Sequence, residues 1–387
     1  MRICMLLHKG VANDTRVRRE AGALAAAGHE VTVVHLPPAA EPQPSGLSYA
    51  LVPATLGRGR ERLPHAARLG VEAARLALRA ASTRPDAVHA HDAAMLLPGM
   101  LAARRSGAKL VYDSHELATG VPYRSGAWPA VVAGAERLGA PRADAVIAVS
   151  DGIAARLGER YRLRRAPAVI RNLPDLPPPG AAPAPDLRRK LGIGAAPLVL
   201  HQGAVAAGRG CETLLQALAL LPGAHLLCLG AEGPYAERLY TVAGRCGVAD
   251  RAHLLPPSPP EALLSCTAQA DVGVSLLEDN CENHRLALPN KLFEYVAAGL
   301  PVVVSDLPEA GRLVRERGIG WCADATDPES VAAALRTALE QRGDGGLGER
   351  LGRAAAELSW EREKRRLLAL YEELAEDGPG APTESDR

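Results

Sequence analysis

Glu282–Asp306 reads ENHRLALPNKLFEYVAAGLPVVVSD, and it is the stretch around which the 387-residue chain is organised. It predicts a loop, then a helix, then a buried strand. Pro289 suits a first helical turn, where a missing N–H is harmless. Leu288, Leu292, Val296 and Ala297 then recur at helical spacing. Gly299 is placed to end the helix, and Pro301 forbids its continuation. Val302, Val303 and Val304 form a short apolar run of the kind buried in a parallel sheet.

The polar residues of this stretch carry chemistry. Asn290, Lys291 and Glu294 fall in the first turns of the helix, at i, i+3 and i, i+4 spacings that make them neighbours. A helix N-terminus offers free N–H groups and a partial positive charge, which suits a phosphate. Lys291 adds a full charge. Glu294, one turn deeper, can accept hydrogen bonds from two vicinal hydroxyls such as those of a ribose. The composite is a nucleotide-diphosphate pocket; the plainer alternative is a surface Lys–Glu pair on an amphipathic helix.

The stretch LPNKLFEYVAAGLPVVVSD resembles the C-terminal signature of family 4 of the retaining glycosyltransferases. Three further stretches resemble that family, in its order: DTRVRREAGALAAAGHEVTVV (Asp14–Val34), KLVYDSHEL (Lys109–Leu117) and ADAVIAVSDGIAARL (Ala143–Leu157). The likeness runs from about Arg2 to about Leu374. It implies the GT-B fold: two Rossmann-like, doubly wound parallel-sheet α/β domains with an inter-domain cleft. One departure stands out. The family pairs two glutamates with seven residues between them, and the position in register with Glu294 is Leu286, with Glu282 out of register.

Length allows two or three domains with ample core. Hydrophobic content is 47% and formal net charge is +1, which excludes a global nucleic-acid-binding field. No apolar run reaches the ~18 residues that span a bilayer, and the N-terminus lacks a signal peptide's pattern. A cytoplasmic protein is expected, with contact at the inner face of a membrane left open. The seven cysteines show no C-x-x-C or zinc spacing and read as reduced, mostly buried thiols. Arginine is abundant and only five lysines occur, so not every arginine is a ligand and Lys291 gains weight.

Ile3–Leu7 predicts a first strand, followed by a loop at Gly10. Asn13 or Asp14 can cap a helix that runs to about Ala27, and Glu30–Leu36 is the next strand. Ligands bind at such strand–helix loops. Gly10, Asn13, Asp14 and Arg16 are therefore acceptor-side candidates, against the alternative that Asp14 only caps and Arg16 is solvated. The segment from Arg58 to Ala81 contains a basic amphipathic helix, either an outer layer helix or a site of lipid contact. Strands Asp86–His91 and Lys109–Tyr112 follow. His89 and His91 share a strand face; with no third ligand evident in sequence, a structural or acceptor-side role is expected for them rather than a metal. The resemblance places His115 where the family's histidine approaches the donor sugar, as a neutral imidazole offering one donor and one acceptor. Glu116 is expected to orient it or meet the acceptor.

Asn172–Asp186, NLPDLPPPGAAPAPD, predicts a semi-rigid linker. The expected boundaries are 1–173 for an acceptor-side domain, 174–186 for the linker and 187–360 for a nucleotide-sugar domain. A helix over 361–376 returns to the first domain, as the resemblance implies, and 377–387 is a disordered tail. In the second half a glycine-rich loop, Gly203–Gly210, follows the strand Leu198–His201, and its N–H groups can cradle a diphosphate. Arg209 falls where the family has a basic residue, and its planar fork suits phosphate; Ala204 stands where another arginine is usual. The resemblance places Gly230 in the turn that flanks the nucleotide and Leu255 near the base, and the loop containing Asn283 is expected to line the sugar.

These residues predict sugar transfer from a nucleotide-diphosphate sugar to an acceptor hydroxyl. His115, Arg209 and Lys291 are the catalytic candidates, and no metal or cofactor is expected because charge on the leaving diphosphate is met by cations and N–H groups. The resemblance implies retention of configuration. The acceptor is a sugar, a lipid-linked intermediate or a small metabolite. A non-catalytic GT-B partner and a sugar-nucleotide epimerase are the alternatives.

Overall fold

The computed structural model describes residues 1–12, 14–36, 46–54, 65–121, 128–175 and 186–377. Asn13, most of the proline-rich linker, the part of the basic segment before residue 65 and the tail beyond 377 lie outside the described residues. The chain divides into two compact units, Met1–Arg171 with Glu363–Arg387, and Asn172–Arg362.

The first unit alternates strands and helices: β1 (Arg2–Leu7), α1 (Thr15–Ala26), β2 (Glu30–His35), β3 (Ala50–Pro53), α2 (His65–Ser82), β4 (Ala87–His91), α3 (Ala93–Ser106), β5 (Lys109–Ser114), α4 (Trp128–Gly139), β6 (Ala145–Ala148), α5 (Asp151–Tyr161) and β7 (Ala168–Val169). Its seven strands run in the order β3-β2-β1-β4-β5-β6-β7, with every pair parallel. The chain winds outward from β1 to β3, then restarts on the other side of β1. Ligands bind in the crevice that such a reversal leaves at the carboxyl ends of the strands. Buried polar residues on β4 and β5 toward that end are His89, His91, Asp113 and Ser114.

The second unit contains α6 (Leu187–Leu191), β8 (Leu198–Gln202), α7 (Cys211–Ala219), β9 (His225–Leu229), α8 (Gly233–Arg245), β10 (Ala252–Leu255), α9 (Pro260–Thr267), β11 (Val272–Ser275), α10 (Glu282–Leu286), α11 (Asn290–Ala297), β12 (Val302–Ser305), α12 (Pro308–Arg317), β13 (Gly320–Ala323), α13 (Pro328–Glu340) and α14 (Gly345–Glu357). Its parallel sheet runs β10-β9-β8-β11-β12-β13, reversing between β8 and β11. The last helix, α15 (Trp360–Glu376), belongs to the first unit from Glu363 onward. Both units are the parallel α/β architecture the sequence predicts.

Locally the expected signals operate, with shifts. Asp14 accepts from Val17 N at 3.0 Å and caps α1. Pro289 is extended, with ψ 138°, and precedes α11 instead of lying in its first turn. Glu282–Leu286, expected as loop, is the short helix α10, opened by an acidic residue that suits its positive end. Gly299 adopts φ +76°, and Leu300 N closes the helix end on Tyr295 O at 2.9 Å. Gly273 on β11 has no side chain because the Tyr295 ring lies there: a Cβ would stand 2.2 Å from it. All seven cysteines are free thiols. Among the described residues no helix is long and apolar enough to cross a membrane.

Candidate active site

In the second unit, β8 delivers Leu-Val-Leu-His-Gln into the loop that opens with Gly203. Gly203 N donates to Leu229 O at 2.8 Å, while Gly230 N and Ala231 N donate to Leu255 O at 2.9 and 2.8 Å. Gly230, at φ +119°, packs so closely that a Cβ would lie 2.4 Å from Gly203 O. Only glycine fits there. Gly203, Gly230 and Leu255 are thus drawn to one end of the sheet. The far side of the glycine-rich loop is tied to the segment before α10: Glu278 N donates to Gly208 O at 3.0 Å, and His284 Nδ1 donates to Glu278 O at 2.8 Å.

Lys291 joins this loop from α11. A Cβ on Gly203 would lie 3.8 Å from Lys291 Cε. Lys291 is only 7% exposed, and its Nζ stands 3.2 Å from His201 Nε2. Burial, and then the charge of Arg209, push Lys291 down to about 8. Burial and Lys291 together hold His201 well below the usual imidazole range, so His201 is neutral and accepts from the ammonium. Glu294, half-buried, accepts from Gln202 Nε2, and Gln202 Oε1 accepts from Thr267 Oγ1 at 2.7 Å. The surface Lys–Glu pair is therefore corrected: Lys291 is inside and faces an imidazole, and Glu294 is held by an amide. Arg209 is half-buried beside them, Asn283 is buried in α10, and Asn290 is exposed at the start of α11. The arrangement concentrates cationic and N–H groups at one helix start. The sequence reading missed His201, Gln202 and Thr267; adjacent polar residues ending an otherwise apolar strand were the signal for the first two.

In the first unit a second constellation surrounds Asp113. Arg16 grips both oxygens of Asp113, through Nε and Nη2 at 2.7 Å each, and donates through Nη1 to Ile170 O at 3.0 Å. Its Nη2 also lies 3.0 Å from Glu20 Oε1. Arg16 is 4% exposed. Both earlier expectations for it are corrected: it is neither solvated nor open to an acceptor, because its fork is taken. His91 Nδ1 lies 3.1 Å from Asp113 Oδ2, and the His91 ring stacks on His89 with centroids 4.3 Å apart. His91 is fully buried, and burial pushes it down to about 3, so it is neutral.

His115 Nε2 stands 3.0 Å from Asp113 Oδ2, and Nδ1 stands 3.4 Å from Asp92 Oδ2. Burial pulls its pKa down, but Asp92 and Asp113 outweigh it and raise it to about 9. The neutral imidazole expected from the sequence is thus an imidazolium at neutral pH, with two N–H donors and no acceptor. Asp14 caps α1 and pairs with Lys9 at 3.0 Å. Gly10 is buried in the β1–α1 loop, and Glu116 is exposed, its carbonyl accepting from Ser114 Oγ at 2.7 Å. Glu20, Asp113 and Tyr371, whose hydroxyl is 2.9 Å from His89 Nδ1, were not anticipated. The first two supply the further groups of ligating type that His89 and His91 lacked in the sequence.

Comparisons with known proteins bear on both units. Residues 14–176 match the family described as Glycosyltransferase Family 4, and residues 184–358 match Glycosyl transferases group 1. A D-inositol 3-phosphate glycosyltransferase of Corynebacterium urealyticum is 32% identical over 61% of this chain and 59% of its own length. One from Xylanimonas cellulosilytica is 30% identical over 76% of this chain and 73% of its own. The match spans about half to six-tenths of several such relatives. Among solved structures, a sucrose-phosphate synthase from Thermosynechococcus elongatus superposes with a TM-score of 0.80 over 98% of this chain and 100% of its own, at 19% identity. That likeness speaks for the fold.

Proposed function

Since this chain belongs to glycosyltransferase family 4, we propose that it moves a sugar from a nucleotide-diphosphate sugar to an acceptor hydroxyl, with retention of configuration and without a catalytic metal. The observation that carries this is Lys291: a buried ammonium at the start of α11, facing a neutral imidazole beside the Gly203 loop. Among the described residues no carboxylate forms an ion pair with it, Glu294 acting only at a distance; a buried cation so placed is costly, and a site that holds one is prepared for an anion. The diphosphate supplies that anion. Arg209 and the N–H groups of the loop and helix start add to the stabilisation of negative charge that grows as the bond to the sugar breaks. Glu294 receives the ribose hydroxyls.

In the step itself the acceptor oxygen forms its bond to the anomeric carbon on the face from which the diphosphate departs. The carbon–phosphate oxygen bond breaks, and the acceptor proton passes to the departing phosphate oxygen. In the first unit, His115 as an imidazolium donates to a sugar hydroxyl.

The relatives' names favour a phosphorylated cyclitol as acceptor. A lipid-linked acceptor is the second reading, favoured by α2, which exposes Arg75 and Arg79 alongside Val71 and Leu78. Calorimetry and thermal-shift screening against UDP-, GDP-, ADP- and dTDP-sugars tests the donor, because a ligand that binds the native state raises apparent stability. One donor is expected to stabilise the protein and, with inositol phosphate or lipid-linked acceptors and no added divalent cation, to give a product with the donor's anomeric configuration. Donor binding without turnover on either acceptor class would favour a non-catalytic partner, and an epimerised donor formed without acceptor would favour the epimerase.

A further inference from the structure

One buried cluster is not used by this reaction. Glu20 of α1, His89 and His91 of β4 and Asp113 of β5 are all fully buried, and a ligating atom of each lies within 4.8 Å of the others. Polar groups inside a parallel sheet need partners. Here the pairing is incomplete: among the described residues Glu20 Oε2, His89 Nε2 and His91 Nε2 have no hydrogen-bond partner, and Glu20 Oε1 meets only the Arg16 guanidinium at 3.0 Å. Buried polar atoms left without a partner are relieved by a proton or by a cation.

We propose that Glu20, His89, His91 and Asp113 form a site for a divalent transition metal of the zinc class. Two imidazoles and two carboxylates are the donor set that such ions take. His89 Nε2 stands 3.7 Å from Asp113 Oδ2 and 3.8 Å from Glu20 Oε2. Donors about 2.1 Å from a tetrahedral zinc lie roughly 3.4 Å apart, so these two separations need a few tenths of an ångström of contraction, and any near the 4.8 Å limit of the cluster need more. The surrounding groups fit. Tyr371 oxygen lies 2.9 Å from His89 Nδ1; the tautomer that places the proton on Nδ1 leaves Nε2 with its lone pair, the arrangement that orients a metal-bound histidine. Arg16 occupies Glu20 Oε1 and leaves Oε2. The ion ties α1, β4 and β5 together and, through Tyr371, α15; it is a structural ion and takes no part in leaving-group departure.

The test uses untagged full-length protein purified without a metal column. Elemental analysis is expected to give one equivalent of zinc or a similar ion per chain. Cobalt(II) added to chelator-treated protein is expected to give the visible absorption of a tetrahedral N/O site at one equivalent. Glu20→Gln and His89→Gln are each expected to weaken cobalt binding by at least about 100-fold. Should these variants fail to fold, the wild-type cobalt titration decides alone. Folded wild type with substoichiometric metal and no cobalt spectrum overturns the proposal and leaves a proton on the cluster as the partner of Glu20. Neither result depends on donor binding, so this test stands or falls apart from the transfer reaction.

Discussion

Replacing Lys291 with methionine is expected to stabilise the protein while abolishing donor binding. The ammonium is 7% exposed, and its pKa is lowered from 10.5 to about 8. That displacement corresponds to about 3 kcal/mol of strain against the charged form. Methionine removes the strain and fills a similar volume. It also leaves His201 Nε2 short of its 3.2 Å partner, at a cost of about 1 kcal/mol. The net expectation at pH 7 is a gain of about 2 kcal/mol. The pH dependence follows from the direction of the shift. Below pH 8 the lysine is protonated in both folded and unfolded chains, and the gap is constant. Between about 8 and 10.5 the folded protein releases the proton while the unfolded chain keeps it, so wild-type stability rises and the gap closes. Urea unfolding at pH 7 and pH 10 measures this. Of the three tryptophans, Trp321 and Trp360 lie in the second unit, so a Trp128→Phe background makes fluorescence report that unit. A methionine variant less stable than wild type at pH 7, or a gap that stays constant to pH 10, refutes the account of Lys291 as a strained cation awaiting an anion.

The same site predicts that nucleoside-diphosphate binding above pH 8 takes up a proton, as the phosphates lift Lys291 back toward its ordinary value; calorimetry in buffers of different ionisation enthalpy reads the uptake. Glu294→Ala is expected to weaken donor affinity by about tenfold or more, with Arg209→Ala acting mainly on turnover; a kcat/KM comparison with direct donor titration separates them. Gly230→Ala forces a Cβ to within 2.4 Å of Gly203 O at φ +119° and should cost more than about 2 kcal/mol, measured by urea unfolding, with donor binding lost alongside. Arg16→Met strands the carboxylates of Asp113 and Glu20 and should cost the first unit about 3–5 kcal/mol, read through Trp128.

The fold was legible because buried parallel strands announce themselves as short apolar runs, such as Ile3–Leu7 and Val302–Val304, and because Gly299 and Pro301 punctuate the chain between a helix and a strand. Lys291 and Glu294 were legible for the same local reason: a helix start and its spacing are written in adjacent residues. What they touch was not. Thr267 and Gln202 are 65 positions apart, Asp113 and Arg16 are 97 apart, and Tyr371 and His89 are 282 apart. Such pairs are set by which strands become neighbours. Nothing within Asp113–Glu116 shows that β5 will lie beside β4, which in turn pairs with β1. The protonation of His115 was misjudged for this reason, since Asp92, at the end of β4, is brought near it only by the sheet. Arg16 was read as acceptor-side or solvated because its partners, Asp113 and Ile170, lie 97 and 154 positions away.

The return of α15 to the first unit has a consequence for how the chain is made. Tyr371 completes a hydrogen bond to His89 inside a sheet whose other residues were synthesised before Arg171. The second unit is one continuous segment, Asn172–Arg362, and can close as it emerges from the ribosome. The first unit cannot. Its buried histidine must wait, through the translation of about 190 residues at roughly 5–20 residues per second, for a phenol that arrives near the end. For that interval, of the order of ten seconds or more, the sheet is a nascent chain with an uncovered polar core, and a chaperone that shields β4 would find its substrate there.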